Sequence, residues 1–297
     1  MYYKVLLNLL NSKTGQTWQA INTGRLFIIT CDYIYEDTKD AISIEILFNN
    51  ITGIMNTDYV KTMAQIDSRF HKIGYYIKWW VNKTHIFTKQ NKLNTFSLMC
   101  MLIVYLQDVA QPPVLPRIIE PYDNRVNLKW YVNPAYIEKE RRPTCIENKI
   151  HVQQFSRNIE EIWKDSKQKD NLNTQSIDDL YRGFIDFYFN GGGFDHIHDV
   201  INTREGRIVK LEDIPDAIKD PVSGVDFRVR KGLRESIFGI LDPFDFNYVP
   251  SKAFSLNYRQ KDMVHILAEF IQPEPIPQPK SSKKQWWKQF DPETYEF

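Results

Sequence analysis

The run Leu98 to Leu106 is apolar or aromatic at every position, and the longer stretch Asn94 to Gln107 is apolar nearly all round a helical projection. Such a helix has to be buried on every side, so the rest of the chain must wrap around it. The run is too short to cross a bilayer, which takes about 20 residues. Pro112, Pro113 and Pro116 stop it. Helical neighbours precede it: Val60, Met63 and Ile66 form one apolar stripe, Ile73, Ile77 and Trp80 another, and residues 58–108 read as helical. The chain has 297 residues, 42% hydrophobic and 25% charged, an ordinary globular composition with length for one large or two modest domains.

Upstream the period changes to two. In Ala41 to Phe48, Ile42, Ile44, Ile46 and Phe48 share one face, and Ser43, Glu45 and Leu47 the other, which predicts a half-buried strand. Asn49, Asn50 and Gly53 supply turn chemistry, and Thr57 reads as the N-cap of the helix beyond. Before this strand lie a short helix (Tyr3 to Leu10), a polar loop to residue 22, a strand within Gly24 to Tyr35, and a charged hairpin from Glu36 to Asp40. Two strands and one helix do not make a self-sufficient sheet. The edge around Leu26 to Ile34 is therefore expected to be covered by the N-terminal helix, an upstream segment or another chain.

Residues 117–175 carry charged clusters and read as a surface insertion, with one helix near Asn158 to Lys167. Ser176-Ile177-Asp178-Asp179 predicts a capped helix, broken by Gly191-Gly192-Gly193. Lys261 to Phe270 predicts a last helix; Pro273, Pro275, Pro277 and Pro279 make a stiff linker. The tail Lys283 to Phe290 mixes rings with cations, a composition that holds single-stranded RNA, docks on a partner or packs on its own domain. Net charge is +1, so contact with nucleic acid needs a local patch. Cys31, Cys100 and Cys145 form no zinc pattern and suit a reducing compartment. Met1 to Leu10 lacks the charged start and cleavage site of a secretory signal, and the arginines of a mitochondrial presequence. His196 and His198 have nothing nearby to complete a tetrahedral metal set. No Walker loop, dinucleotide fingerprint or Ser/His/Asp grouping is visible.

Several motifs share one resemblance. The sequence Glu45-x-x-Phe48-Asn49-Asn50-x-x-Gly53-x-x-Asn56-Thr57 resembles the signature after the last catalytic strand of template-independent RNA nucleotidyltransferases, the non-canonical poly(A) polymerases and terminal uridylyltransferases. Gln65 to Arg69 resembles their Leu-Asp-x-Arg turn, Lys78-Trp79-Trp80 their Lys-x-Trp helix, and Pro112 to Pro116 their Pro-Pro-x-Leu-Pro exit. Leu180 to Tyr188, Val200 to Gly206 and Leu241 to Asp245 are similar to later motifs in the same order. Thr95-Phe96-Ser97-Leu98 is nearest the mitochondrial poly(A) polymerase branch.

The resemblance implies an α+β fold: a truncated nucleotidyltransferase palm (1–57), then a mostly helical poly(A)-polymerase-type central domain (58–270) with the insertion 117–175, then a Pro-rich linker and aromatic-basic tail (271–297). It also implies Mg2+ or Mn2+ held by three carboxylates, an Asp-x-Asp pair behind a Gly-Ser loop and a later aspartate. Glu45 stands at the third position, one methylene longer, and is the implied catalytic and metal residue. Residues 1–44 contain no Gly-Ser and no Asp-x-Asp; Asp32, Asp37 and Asp40 lie where the family has no ligands. By the same matching, Asn50 and Thr57 face the ribose and phosphates, Lys78 meets the triphosphate, Thr95 bonds a phosphate and Phe96 stacks on the base. Asp242 and Asp245 line the base edge, Tyr248 replaces a base-selecting histidine, and Asn82 replaces a second lysine.

The expected function is RNA 3′-terminal nucleotidyl transfer, poly(A) or oligo(U) tailing, with this chain incomplete as a catalyst alone. The expected ligands are an RNA 3′ end and a weakly held nucleoside triphosphate. A protein partner or self-association is expected over the incomplete sheet, and no membrane. The alternatives are a non-catalytic RNA-binding scaffold that keeps the fold, and a fragment of a longer active poly(A) polymerase. Mitochondrial and cytoplasmic locations both stay open.

Overall fold

The computed structural model describes residues 2–22, 27–34, 41–48, 50–84, 93–118, 126–128, 150–152, 173–219, 224–244 and 249–250. The apolar run forms the centre. Helix α4 (Thr95–Val104) is buried from Ser97 to Val104 and passes into a π-helical turn, Tyr105–Val109. Around it pack α2 (Ile51–Ile66) through Tyr59 and Met63, and α3 (Ser68–Thr84) through Ile73, Ile77 and Trp80. Helix α5 (Ile177–Phe189) adds Leu180, Phe184, Ile185 and Tyr188 to the same core. The few polar side chains at the end of the run act as anchors. Gln107 donates to Pro116 O at 2.7 Å, and Asp108 accepts from Ile208 N at 2.9 Å. Gly183 is required where α5 crosses the turn, because a Cβ there would lie 2.1 Å from the Tyr105 hydroxyl.

The capping box is present at α5. Ser176 accepts from Asp179 N at 3.1 Å, and the Asp179 carboxylate accepts from Ser176 Oγ at 2.6 Å and Ser176 N at 3.2 Å. The Ser176 hydroxyl first, then its backbone N–H, hold the Asp179 carboxyl below its usual range. The folded-state value lies below the unfolded one, so the contribution is present above the unfolded value of about 3.9 and is lost as pH falls through the folded value. Asp179→Asn is therefore expected to lower the melting temperature at neutral pH, with the gap from wild type narrowing in acid; parallel melting curves against pH check it.

The N-terminal unit differs from the sequence expectation. Helix α1 runs Tyr2–Thr14, longer than Tyr3 to Leu10, and the stretch read as a polar loop holds a strand, β1 (Gln19–Asn22). Strands β2 (Phe27–Ile34) and β3 (Ala41–Phe48) complete an antiparallel sheet ordered β1-β2-β3. The edge of β2 is thus covered by β1, which corrects the expectation of α1 or another chain at that position. Helix α1 instead lies on the sheet face: Leu6, Leu7 and Leu10 pack against Trp18, Ile29 and Cys31. Ile44, Ile46 and Phe48 join that cluster and Glu45 is exposed, as the alternation predicts.

Within the insertion, β4 (Val126–Leu128) and β5 (Ile150–Val152) form a short antiparallel ribbon. The helices expected near 158–167 and 261–270, and the tail, lie outside the described residues. The insertion is closed at its base. Arg69 pairs with Asp67 at 2.7 Å and donates to Asn173 Oδ1 at 3.0 Å and Gln175 O at 2.8 Å, while Asn173 donates to Pro112 O at 2.6 Å. A second sheet follows α5: β6 (Asp199–Asn202) pairs with antiparallel β7 (Arg207–Lys210) and parallel β8 (Gly239–Leu241). Gly206 makes the β6–β7 turn with φ +62°. Helix α6 (Phe227–Glu235) packs Val229 and Leu233 beneath this sheet with Leu211, Ile214 and Leu241.

Candidate nucleotide site

Helix α2 begins at Ile51, six residues before the N-cap expected at Thr57, and the 57/58 boundary falls inside it. The cap is Asn50, whose side chain accepts from Gly53 N at 3.1 Å. A Cβ at residue 53 would meet the Asn50 amide at 2.3 Å, so the Asn-x-x-Gly spacing is needed to seat this cap. Thr57 is an exposed position on α2 whose hydroxyl donates to Gly53 O at 2.8 Å. Sequence reasoning passed over Asn56. Its amide oxygen is buried without a hydrogen-bond partner among the described residues, an acceptor that the Asn-Thr pair alone did not reveal.

Three distant motifs converge on the N-terminal half of α4. Phe244, beyond β8, meets Tyr59 of α2 edge-on, with centroids 5.6 Å apart at 90°. Burial first, and the neighbouring Cys100 of α4 second, raise the Tyr59 phenol far above its ordinary range. Cys100 is itself raised by burial and then by Asp242. Asn94 caps α4, accepting from Ser97 N at 2.8 Å, and its amide donates to Pro250 O at 2.9 Å. The strand-end signature, the α4 entry and the Asp-Pro-Phe turn therefore form one continuous structure. Thr95 opens α4 on its exposed side, where amide N–H groups and the helix dipole favour phosphate. Phe96 is half-buried against the core. Lys78 is exposed on α3, one turn after Gly74, which packs against Met99 of α4.

Asp242 is the residue expected at a base edge. It is buried and accepts from Phe244 N at 2.9 Å, so it holds the turn together. Asp245 and Tyr248 lie outside the described residues. Glu45 pairs across the sheet with Thr30, and Asp32 with Ser43. Asp32 and Glu45 therefore share one face as diagonal neighbours, about 7 Å apart by antiparallel geometry. Among the described residues no group of three or more His, Cys, Asp or Glu side chains is placed to hold a metal. A cleft of about 540 Å³ lies elsewhere, lined by Asp108, Phe187, Asn202, Arg207, Lys210 and Pro215 among others. It includes none of the predicted residues, and Asp108 and Arg207 there are paired with Arg117 and Glu205.

The fold is that of the Cid1-type RNA nucleotidyltransferases. It superposes on the Cid1 poly(U) polymerase bound to MgGTP with a TM-score of 0.62 at 18% identity, covering 94% of this chain and 75% of that one. A structure of Cid1 with its short product ApU matches with a TM-score of 0.59 at 19% identity, over 93% and 74%. In sequence, the chain is 26% identical over 179 residues to the poly(A) RNA polymerase gld-2 homolog A of Drosophila melanogaster, spanning 60% of this chain and 11% of that protein. It is 26% identical over 250 residues to the speckle targeted PIP5K1A-regulated poly(A) polymerase of Danio rerio, 81% of this chain and 28% of that protein. The chain thus spans under a third of the length of these relatives. No family model matches. In fold the chain is similar to Cid1, and in sequence to non-canonical poly(A) polymerases.

Proposed function

We propose that this chain serves in tailing RNA 3′ ends as the nucleotide- and RNA-holding part of a nucleotidyltransferase, and that alone it binds nucleoside triphosphate without transferring it. The supporting observation is the convergence of α2, the α4 entry and the Leu241 to Phe244 turn around Tyr59, Cys100 and Asp242. Thr95 and Phe96 open α4 in that frame and Lys78 is exposed on α3, and these are the residues proposed to meet a phosphate, a base and the triphosphate charge.

A two-cation centre needs several bridging carboxylates. Asp32 and Glu45 supply two on the described sheet face, so this donor set does not fit a metal pair and no transfer step runs through it. Thr95-Phe96-Ser97-Leu98 supports the mitochondrial poly(A) branch, and Tyr248 in the place of a base-selecting histidine argues against a preference for uracil. Titration of the purified chain with fluorescent ATP tests the reading. Saturable binding is expected, weakened about three- to fivefold by Lys78→Ala, the scale of one exposed charge contact, and weakened further by salt. Absence of saturable binding overturns it.

A further inference from the structure

Helix α6 presents an exposed basic face. Arg228, Lys231 and Arg234 recur at i, i+3 and i+6 and are all exposed. Lys231 meets Glu235 at 3.6 Å, and Arg228 and Arg234 make no ion pair among the described residues. The fourth cation, Arg230, turns inward and is spent on structure, donating to Leu211 O at 3.0 Å and pairing with Asp216 at 3.1 Å. Two large apolar side chains stand at the start of this face. Phe227 is 79% exposed at the first position of α6, and Ile218 is 96% exposed. They belong to one corner, because Val225 donates to Pro215 O at 3.0 Å and Ala217 donates to Val225 O at 3.1 Å. Those bonds hold the Ile218-Lys219 turn against the entry to α6, and Lys219 is exposed there too.

We infer that this corner and helix face form a docking surface for single-stranded RNA, separate from the nucleotide site; the inference rests on the tailing reading above. Net charge is only +1, so this chain has no global field to draw in a polyanion, and a local cationic row must do so. Three exposed cations at helical spacing match successive phosphates in charge, and an exposed ring beside them gives a base a stacking platform that tolerates any sequence. An anionic membrane fits less well. A membrane-surface helix needs its apolar face free, whereas Val229 and Leu233 of α6 are buried in the chain's own core. The surface also belongs to the nucleotide-site frame: Val229 shares a cluster with Leu241, the residue before Asp242.

The test is binding of a labelled oligo(A) to the full chain over a range of salt, alongside fluorescent ATP. The triple variant Arg228→Gln, Lys231→Gln, Arg234→Gln is expected to lose more than tenfold in RNA affinity. Its log–log salt slope should flatten by about 2, since each phosphate contact on a single strand contributes about 0.7. Phe227→Ala is expected to lose affinity about tenfold with the slope kept, the mark of stacking rather than charge. Arg228→Lys with Arg234→Lys should retain the slope. Variant and wild type should melt alike, the changed side chains being exposed. RNA affinity and slope unchanged in the triple variant, with ATP binding intact, overturn the surface and leave the tailing reading standing. Loss of binding to phosphatidylserine vesicles instead of RNA overturns it in favour of a membrane. A wild-type chain that holds neither ATP nor RNA overturns both.

Discussion

Purified chain, incubated with an oligo(A) primer, each of the four nucleoside triphosphates and magnesium or manganese, is expected to leave the primer unextended. The ground is ligand count rather than affinity. Two cations about 4 Å apart share bridging carboxylates, and magnesium demands near-octahedral oxygen coordination. Glu45 is one methylene longer than the aspartate of the resemblance, while catalytic geometry tolerates about 0.5 Å of displacement. Asp32 lies on the same sheet face, diagonal to it, and no third carboxylate joins them among the described residues. Phosphate and stacking contacts do not require the metal pair, so nucleotide binding without turnover is the expected phenotype. Extension by this chain that Glu45→Ala abolishes would overturn the expectation and make Glu45 a working ligand. Extension restored only by adding a polypeptide that carries an Asp-x-Asp strand would locate the missing donors outside this chain.

The open edge of β3 bears on the same point. Strand β2 is paired on both sides, while β3 is an edge strand in the described sheet. The sequence correctly indicated that this unit needs more than two strands, but the neighbour lacking on β2 is β1 of the chain itself. Gln19-Ala20-Ile21-Asn22 has one strong strand former in four residues. Its extended state comes from pairing with β2, a tertiary cause that a local pattern does not carry. The Thr57 expectation erred for a related reason. Asn50 and Thr57 are both good cap types, and the choice falls to Asn50 because Gly53 leaves room for its amide and a free N–H to receive. Thr57 then bonds back to the carbonyl four residues earlier, as threonine inside a helix does.

What was legible in the sequence is what burial dictates. Apolar character all round placed α4 at the centre, and period-two alternation turned Glu45 outward. The Ser176/Asp179 spacing marked the start of α5. Asp242 shows the limit. The family resemblance put it at a base edge, yet a carboxylate two residues before a free N–H is equally suited to closing a turn. Its burial beside Phe244, which packs on Tyr59, comes from neighbours distant in sequence. The Asn56 oxygen, without a partner among the described residues, was equally invisible, since an amide in a helix is exposed or buried according to neighbours that come from elsewhere in the chain.

The largest stability loss is expected at Phe184. Its ring is fully buried where α5 meets the π-helical turn, with Tyr105 edge-on at 5.8 Å and 89°. Tyr188 lies at 5.1 Å and Phe189 at 6.3 Å. Phe184→Ala removes a ring from the middle of this set, and its neighbours cannot close over the gap. Tyr188 is tied by its hydroxyl to Met101 O at 3.1 Å. Tyr105 is confined by Gly183, where there is no side-chain space. Poor relaxation puts the cost near the upper part of the range for buried Phe to Ala, about 3–5 kcal/mol. Phe184→Leu keeps most of the volume, and a cost of about 1–2 kcal/mol is expected. Urea unfolding followed by tryptophan fluorescence measures both, since Trp80 of the same core packs on Phe189 at 5.3 Å. A Phe184→Ala midpoint within error of wild type would mean that α5 does not depend on this aromatic set, and that the core closes on α2 and α3 alone.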